Sequence, residues 1–328
     1  MKARFGLLVG LLLIAAHGTM RSQEPAAHTD DSLLKVTLLG TVSGPVANAQ
    51  RLGISTLVTA GSETLLFDCG RSLMTGLARL AINPAGVTKV FLTHLHSDHV
   101  VGLPELYLFP WASGRSVPLQ VWGPRGTRDM VGHLQKAFAF DIRMRRDVDE
   151  KFPADGIKAN VTDIHEGVVY TANDVKVTAF LVDHSPVSPA FGYRIDYRGH
   201  SAVLSGDTKP SDNLVKFSQG VDLLIHEVGR SKQDPVLIGP PDELIPGTRT
   251  TRRQGRVIAE HHTDGAEAGR IFERVKPKLG VFSHYNVDPA ATLPLVRQAY
   301  AGPVQFGEDL MTIEIGDRVT VRRFPQER

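Results

Sequence analysis

Short apolar runs alternate with longer amphipathic segments along the chain from Leu33 onward. Runs rich in β-branched residues, the first four separated by glycine-containing turns, predict strands in "LLKVTLLG", "STLVTAG", "TLLFDCG", "KVFLTH", "VVYTANDVKVTAFLVDH", "FGYRIDYRGHSAVLSGD", "VDLLIHE" and "LGVFSH". "MTIEIGDRVTVRRF" predicts a final hairpin that turns on Gly316-Asp317. Apolar residues at helical spacing predict helices in "MTGLARLAI", "RDMVGHLQKAFAF" and "GAEAGRIFERV". We therefore predict an α/β fold, with a single domain over residues 33–328.

The N-terminus departs from this alternation. Lys2 and Arg4 precede a short apolar run, and polar residues follow it, as in a secretory signal. Small residues near Gly18 predict cleavage there, so residues 1–18 form the predicted signal peptide and residues 19–32 a linker. An apolar run of about a dozen residues is short for a transmembrane span of roughly 20. The sequence thus predicts a secreted or periplasmic protein without a stable membrane anchor.

A second departure is the segment 229–256, which carries four prolines, four glycines and five arginines. Proline and glycine interrupt helices and strands, so this composition predicts a long loop. Long loops in compact domains are commonly functional or mobile, and the arginines could close over an anionic substrate. We predict a substrate-side loop, with a solvated surface excursion as the alternative.

Composition and charge narrow the classes of function. Hydrophobic residues make up 42% of the chain and charged residues 22%, as in soluble globular proteins. The net charge of +2 becomes zero when the predicted signal removes Lys2 and Arg4, so the mature chain lacks the overall basic charge of a nucleic-acid binder. Cys69 is the single cysteine, which excludes an intrachain disulfide and favours a small buried residue over a nucleophile.

Metal-binding or acidic side chains follow five of the apolar runs, at or near their C-terminal ends. They are His94, His184, Asp207, the pair His226-Glu227, and His284. In α/β folds, this end of the sheet is where sites are built. The stretch "THLHSDH" adds further imidazoles and a carboxylate directly after its strand. Hydrogen bonding would explain any one of these histidines, whereas their common position at strand ends favours one site.

The spacing of these side chains suits two neighbouring metal ions. His94 and His96 can turn both imidazoles toward one ion, and Asp98 and His99 on the following turn can face a second ion. Asp207 can bridge both ions, because one carboxylate has two oxygens. The complete set of predicted ligands is His94, His96, Asp98, His99, His184, Asp207 and His284. Nitrogen and oxygen ligands without thiolate favour two divalent zinc ions, with manganese or iron as alternatives.

The motif HxHxDH at His94–His99, preceded by "LLFDCG", resembles the metallo-β-lactamase superfamily. "FGYRIDYRGHSAVLSGDTKP" and the "HE" of His226-Glu227 resemble ribonuclease Z and its arylsulfatase-like relatives more closely. The resemblance runs from about Leu39 to Asn286 and implies an α/β (α+β) fold, a four-layer αβ/βα sandwich with a two-metal site at one edge. It also implies the two ligand sets: His94, His96 and His184 on one metal, Asp98, His99 and His284 on the other, and Asp207 as the bridge.

Ribonuclease Z also uses a glutamate in an HEAT motif and a histidine in an HST motif. The first motif here reads His226-Glu227-Val228-Gly229, which keeps the acid. The second must lie in "EHHTDGAEAG", where His261 fits the H-x-T spacing and His262 fits the distance to the following helix. We predict His262, with His261 as the alternative. In this interpretation Asp98 orients the nucleophile, and Glu227 and His262 form a relay that protonates the leaving oxygen.

The predicted function is that of an exported dinuclear hydrolase that cleaves phosphodiester or aryl sulfate bonds with a metal-activated hydroxide. The alternatives are a ribonuclease Z-type tRNA 3′ endonuclease, a β-lactamase or lactonase acting on cyclic amides or esters, and a metal-binding module without catalysis. The basic tRNA-contact loop expected after the first strand is replaced by "VSGPVANAQRLGIS", with Arg51 its only charge. No inserted glycine- and lysine-rich arm follows. A small anionic ester is therefore favoured over nucleic acid as the partner, and a homodimer stays open.

Overall fold

Two β-sheets form the centre of the molecule. The computed structural model describes residues 33–45, 48–248 and 250–325, so the predicted signal peptide (1–18) and linker (19–32) lie outside the described residues. Within those residues the strands are β1 (Leu34–Gly40), β2 (Ser55–Ala60), β3 (Glu63–Phe67), β4 (Lys89–Phe91), β5 (Leu119–Gly123), β6 (Ala159–Asp163), β7 (Gly167–Ala172), β8 (Val175–His184), β9 (Val187–Tyr197), β10 (His200–Leu204), β11 (Leu223–Val228), β12 (Leu279–Tyr285), β13 (Val304–Phe306), β14 (Met311–Ile315) and β15 (Val319–Arg322). The helices are α1 (Leu73–Arg79), α2 (Ser97–Val100), α3 (Leu103–Ala112), α4 (Thr127–Ala137), α5 (Ala139–Arg143), α6 (Asp212–Phe217), α7 (Arg252–Ala259), α8 (Gly265–Val275) and α9 (Pro289–Arg297).

Each sheet combines an antiparallel part with a parallel part. The first sheet has the order β15-β14-β1-β2-β3-β4-β5-β6, and the strands from β3 to β6 run parallel. The second sheet has the order β13-β12-β11-β10-β9-β8-β7, and the strands from β10 to β13 run parallel. Because parallel strands end at the same edge of a sheet, their C-terminal ends can supply side chains to one site.

Apolar clusters separate the layers. The cluster between the sheets draws residues from both of them, such as Leu38 and Val58 from the first sheet and Tyr193 and Val281 from the second. A second cluster packs α1, α3 and α4 on the outer face of the first sheet, and a third packs α6, α8 and α9 on the outer face of the second. The layers therefore run helix, sheet, sheet, helix, which confirms the four-layer αβ/βα sandwich.

Most predicted elements are present. Helices α1, α4 and α8 lie in predicted helical segments, and β14 and β15 form the predicted hairpin. Helix α3 was missed because its sequence, "LPELYLFPWA", is apolar on most sides and shows no helical periodicity. Helices α6 and α9 were also missed. Helices α3, α6 and α9 become evident only in the folded structure, where they pack on the outer faces of the sheets.

The segment 229–256 is only partly a loop, which corrects the sequence prediction. A 3₁₀ turn at Pro235–Leu237 interrupts it, and α7 begins at Arg252 after a capping box between Thr251 and Gln254. Leu237, Ile245 and Ala259 form a small apolar cluster of their own. We call residues 230–261 the excursion. It is a folded insertion between β11 and α8.

The structure also bears on the cysteine and on membrane anchoring. Cys69 is free and fully buried, as predicted. Among the described residues, no helix combines the length and the apolar character that crossing a bilayer requires.

Candidate metal centre

The predicted metal ligands lie together at the edge where the parallel strands end. The loop after β4 carries His94 and His96, α2 carries Asp98 and His99, β8 ends at His184, Asp207 follows β10, and His284 lies in β12. Both sheets therefore contribute, the first through β4 and α2 and the second through β8, β10 and β12.

The first ligand group contains His94, His96 and His184. The Nε2 atom of His94 lies 3.0 Å from Nδ1 of His96. The Nε2 atom of His184 lies 3.2 Å from that same Nδ1. Three imidazole nitrogens thus converge on one point, as they would around a single ion.

The second ligand group contains Asp98, His99 and His284. The Nε2 atoms of His99 and His284 lie 3.2 Å apart. Oδ2 of Asp98 lies 3.3 Å from Nε2 of His284 and 3.7 Å from Nε2 of His99. These two nitrogens and one carboxylate oxygen form a separate point of convergence beside the first.

Asp207 lies between the two groups. Its Oδ2 is 3.8 Å from Nε2 of His94 and 3.9 Å from Nε2 of His184, in the first group. The same oxygen is 3.3 Å from Nε2 of His99, in the second group, and its Oδ1 is 3.1 Å from Nδ1 of His284. Asp207 thus reaches nitrogens of both groups, and its role as the bridging ligand stays a prediction.

The chemistry of these groups fits divalent cations. Burial lowers the pKa of His94 well below its usual value. Burial alone would raise the pKa of Asp207, but His284 and His99 outweigh it and hold that pKa well below its usual value. A low pKa keeps the imidazole of His94 neutral and the carboxylate of Asp207 ionised, as metal binding by these two residues requires. Among the described residues, Oδ1 of Asp207 is one of the buried side-chain oxygens without a hydrogen-bond partner, and a cation bound at this cluster would satisfy it.

Asp68 is a supporting residue that the sequence analysis missed. It directly follows β3, and its Oδ2 accepts a hydrogen bond from Nδ1 of His99 at 2.8 Å. The backbone N–H of Thr93 donates to Oδ1 of Asp68 at 2.9 Å, which fixes the carboxylate. A carboxylate on the far nitrogen of a histidine orients the ring and sets which nitrogen binds the metal. The same rule of ligands at strand ends would have identified Asp68, since "TLLF" ends at this acid.

The buried Glu227 and the partly buried His262 form a pair beside the ligands. Oε2 of Glu227 lies 3.2 Å from Nδ1 of His262, and the backbone N–H of Thr263 donates to Oε1 of Glu227 at 2.9 Å. Burial lowers the pKa of His262, but the Glu227 carboxylate outweighs burial and raises that pKa to about 9. A His262 ring nitrogen also lies within 4.8 Å of ligand atoms of Asp207 and His284. The pair can therefore hold a proton next to the cluster.

His261 has a different position. Its Nδ1 lies 2.8 Å from the carbonyl oxygen of Ser185. Its own carbonyl oxygen accepts a hydrogen bond from Nδ1 of His184 at 3.1 Å. The backbone of His261 thus supports a metal ligand, while the side chain next to Glu227 is that of His262, as the sequence analysis chose.

The arginines of the excursion are occupied within it, as far as the structure describes them. Arg230 pairs with Asp234 at 3.0 Å, Arg253 pairs with Asp242 at 2.9 Å, and Arg252 pairs with Glu243. Arg256 donates to the carbonyl oxygen of Leu237 at 2.6 Å. Arg249 lies outside the described residues. These contacts fold the excursion, and they weaken the expectation that its arginines close over a substrate.

A family model and proteins of related sequence match most of this chain. The Beta-lactamase superfamily domain matches residues 63–285. Ribonuclease Z of Mycolicibacterium gilvum (strain PYR-GCK) is 32% identical over 293 residues, which cover 86% of this chain and 96% of that protein. Ribonuclease Z of Mycobacterium sp. (strain KMS) is 35% identical over 299 residues, which cover 88% of this chain and 99% of that protein.

Solved structures share the fold. Human tRNase Z, short form, superposes with a TM-score of 0.61 at 25% identity and covers 85% of this chain and 98% of its own. The metallo-β-lactamase fold protein YhfI from Bacillus subtilis has a TM-score of 0.64 at 20% identity and covers 86% of this chain and 99% of its own. The second likeness concerns the fold alone.

Proposed function

Since this chain belongs to the metallo-β-lactamase superfamily, in its ribonuclease Z branch, we propose that it is an exported phosphodiesterase that acts on small anionic esters. Membership of the family shows that the protein is a metal-dependent hydrolase of ester bonds. The small size of the substrate and the export of the protein are our proposal. One observation carries the choice of a small substrate. The described arginines of the excursion are compensated by carboxylates and carbonyls of the excursion itself.

The residues of the cluster have distinct tasks in this proposal. When bound, two divalent ions polarise the ester and supply hydroxide near neutral pH. Asp98 orients the nucleophile in this proposal, and its Oδ2 is itself held by the Gly44 N–H at 2.9 Å. His262 holds a proton for the leaving oxygen, and Glu227 keeps its ring oriented and charged. Zinc is the proposed metal, with manganese and iron as alternatives.

Cleavage of precursor tRNA is the second candidate. It is favoured by ribonuclease Z relatives that match over nearly their whole length, at 32% and 35% identity. Affinity for a folded RNA depends on cationic contacts, with on the order of one counterion released per phosphate contact. A mature chain of zero net charge, with its excursion arginines paired, offers few such contacts. The small ester is therefore our first choice.

A substrate panel separates the candidates. The protein from residue 19 onward, loaded with zinc, is assayed at physiological salt on bis(p-nitrophenyl) phosphate, p-nitrophenyl phosphate, an aryl sulfate, a lactone, a penicillin and a precursor tRNA. We expect the phosphodiester to be cleaved fastest, the aryl sulfate more weakly, and the tRNA slowly. Efficient release of the tRNA 3′ trailer would overturn the small-ester proposal in favour of the ribonuclease. Faster turnover of the penicillin or the lactone would favour the cyclic-substrate alternative.

Export has its own test. The full-length chain is expressed with its own N-terminus in a Gram-negative host, and the periplasmic and cytoplasmic fractions are compared. We expect a periplasmic protein whose N-terminus lies near Thr19, since Lys2, Arg4 and the apolar run that follows resemble a signal. A cytoplasmic protein that retains Met1 would contradict the proposal of export.

A further inference from the structure

Arg51 is the only charged residue of the loop between β1 and β2. Both terminal nitrogens of its guanidinium donate hydrogen bonds to other residues of the protein. Nη1 donates to the carbonyl oxygen of Tyr285 at 3.0 Å. Nη2 donates to Oγ1 of Thr41 at 2.7 Å. The guanidinium carbon also lies 3.9 Å from the centroid of the Tyr285 ring. One hydrogen bond and a cation–π contact hold the side chain to Tyr285, which directly follows a predicted metal ligand, and a second hydrogen bond holds it to Thr41.

That ligand has an unusual backbone. His284 has a φ of 52°, in the left-handed region, which is strained for a residue with a Cβ. Its neighbour Tyr285 is held on three sides: its N–H donates to Thr41 at 3.1 Å, its hydroxyl donates to Gly307 at 2.8 Å, and its carbonyl accepts from Arg51. A strained residue persists only when its surroundings determine its conformation. Arg51 is part of those surroundings.

The same loop reaches the other side of the second ligand group. The N–H of Gly44 donates to Oδ2 of Asp98 at 2.9 Å. Asp309 anchors the loop at two points, accepting from Oγ1 of Thr41 at 2.6 Å and from the N–H of Leu52 at 2.5 Å. The loop therefore touches Asp98 directly and His284 through Tyr285. Arg51 joins Tyr285 to Thr41, at the start of this loop.

We propose that Arg51 is a positioning residue for the second ligand group, Asp98, His99 and His284, rather than a contact for the substrate. It holds the backbone after His284 and the base of the loop that orients Asp98. The first ligand group has no contact with Arg51 among the interactions of the described residues. Loss of Arg51 should therefore weaken the binding of the ion at the second ligand group and leave the binding of the other ion unchanged. The inference rests on the two-metal site of the proposed function.

Metal binding tests the proposal without reference to turnover. Zinc stoichiometry and affinity are measured by chelator competition for the wild type, Arg51→Met, Arg51→Lys and Arg145→Met. Arg145→Met is the matched control, because Arg145 forms an exposed ion pair at 3.0 Å with Asp141 of α5, which is not one of the predicted ligands. We expect Arg51→Met to bind one ion with wild-type affinity and the other at least about tenfold more weakly, as when a supporting partner of a ligand is lost. Arg51→Lys should recover part of the loss, because it keeps the charge but not both hydrogen bonds.

Two further measurements keep the outcomes distinct. Thr41→Val removes the hydroxyl between Arg51 and Asp309 and leaves the charge of Arg51 in place. It should weaken the binding of the same ion by a smaller factor than Arg51→Met does. This variant also tests the proposal if Arg51→Met fails to fold. KM for bis(p-nitrophenyl) phosphate should change less than metal affinity. Both ions bound as tightly as in the wild type, together with a raised KM, would make Arg51 a substrate contact and overturn the proposal. A wild type that binds fewer than two ions would instead contradict the proposed function.

Discussion

His261 and His262 follow each other in the chain, yet their rings have different partners. The ring of His262 lies against Glu227, whereas that of His261 lies against the carbonyl of Ser185. Oδ2 of Asp207 lies 3.8 Å from Nε2 of His94 in the first ligand group and 3.3 Å from Nε2 of His99 in the second. These side chains therefore allow substitutions that separate metal binding from proton transfer.

His262→Ala should leave the metal content near that of the wild type and slow the hydrolysis of esters with poor leaving groups. The loss should be small for p-nitrophenolate, which departs without a proton, since an acid catalyst contributes about 10²–10⁴-fold when one is needed. Steady-state rates on paired aryl and alkyl phosphodiesters measure this, with His261→Ala as the control. An equal loss on both esters would argue against an acid role. Loss of one ion would identify His262 as a ligand, which its distance to Asp207 and His284 also allows.

Asp207→Ala should reduce metal content from about two ions per chain toward one or none, because it removes a ligand from both groups. Its activity should fall further than that of any single histidine variant. Elemental analysis of the dialysed protein measures the ion content. Two tightly bound ions in this variant would remove Asp207 from the bridging role.

The pH dependence of turnover should report on Glu227. The carboxylate raises the pKa of His262 to about 9, so the acid form of His262 is present below that pH and is lost as the pH rises through it. Glu227→Gln removes the charge, so the alkaline decline of kcat on a poor leaving group should move to lower pH. Profiles of kcat against pH for the two proteins test this. An unmoved alkaline limb would show that another group sets it.

At the level of helices and strands, the excursion begins and ends next to the pair formed by Glu227 and His262. The N–H of Gly229, at the end of β11, donates to the carbonyl of Thr263 at 2.9 Å. A Cβ on Gly229 would lie 2.7 Å from the Cβ of His262, which is a steric clash between two non-bonded carbons. The absence of a side chain at residue 229 thus allows β11, which carries Glu227, to approach the segment that carries His262.

Gly229→Ala should therefore displace His262 while leaving the metal ligands in place. We expect turnover of poor leaving groups to fall by about 10- to 100-fold, because a shift of about 1 Å has effects of this size on positioned groups. Gly132→Ala is the matched control: a Cβ there meets nothing within 4 Å on α4, so it should stabilise the protein by about 0.5–1 kcal/mol. Wild-type turnover in Gly229→Ala would mean that the backbone yields without moving His262.

Across the whole molecule, the cluster joins the two sheets. His94 follows β4 of the first sheet, while His184 and His284 come from strands of the second. A bound ion therefore connects two layers that otherwise meet through apolar packing. A ligand that binds only the folded state stabilises it by about 2.7 kcal/mol at a hundredfold excess over Kd.

Removal of the metal should lower the melting temperature by several degrees and make it depend on the concentration of free zinc. Calorimetry of the wild type before and after chelation measures this, with Asp207→Ala as the control that should respond little. Equal melting temperatures for metal-free and zinc-loaded wild type would contradict a cross-link between the sheets.

Local patterns in the sequence determined most of the strands and the position of the candidate site. Alternation of apolar runs indicates the strands, and the ligands that follow those runs, such as His94, His184 and His284, indicate where the site lies. These inferences succeed because a strand and the residue after it are adjacent in the chain, and parallel strands end at one edge. Helix α3 was not identified, because a helix that is apolar on most sides has no periodicity to detect.

Only the tertiary structure decided which side chains meet across long separations in the chain. His99 meets Asp68 and His284, Arg51 meets Tyr285, and the second histidine of "EHHT" meets Glu227. The partners of the excursion arginines, such as Asp234 and Leu237, also depend on how that insertion folds on itself. No local period encodes these contacts, because each depends on the register of strands and on the packing of loops that the chain brings together only when it folds.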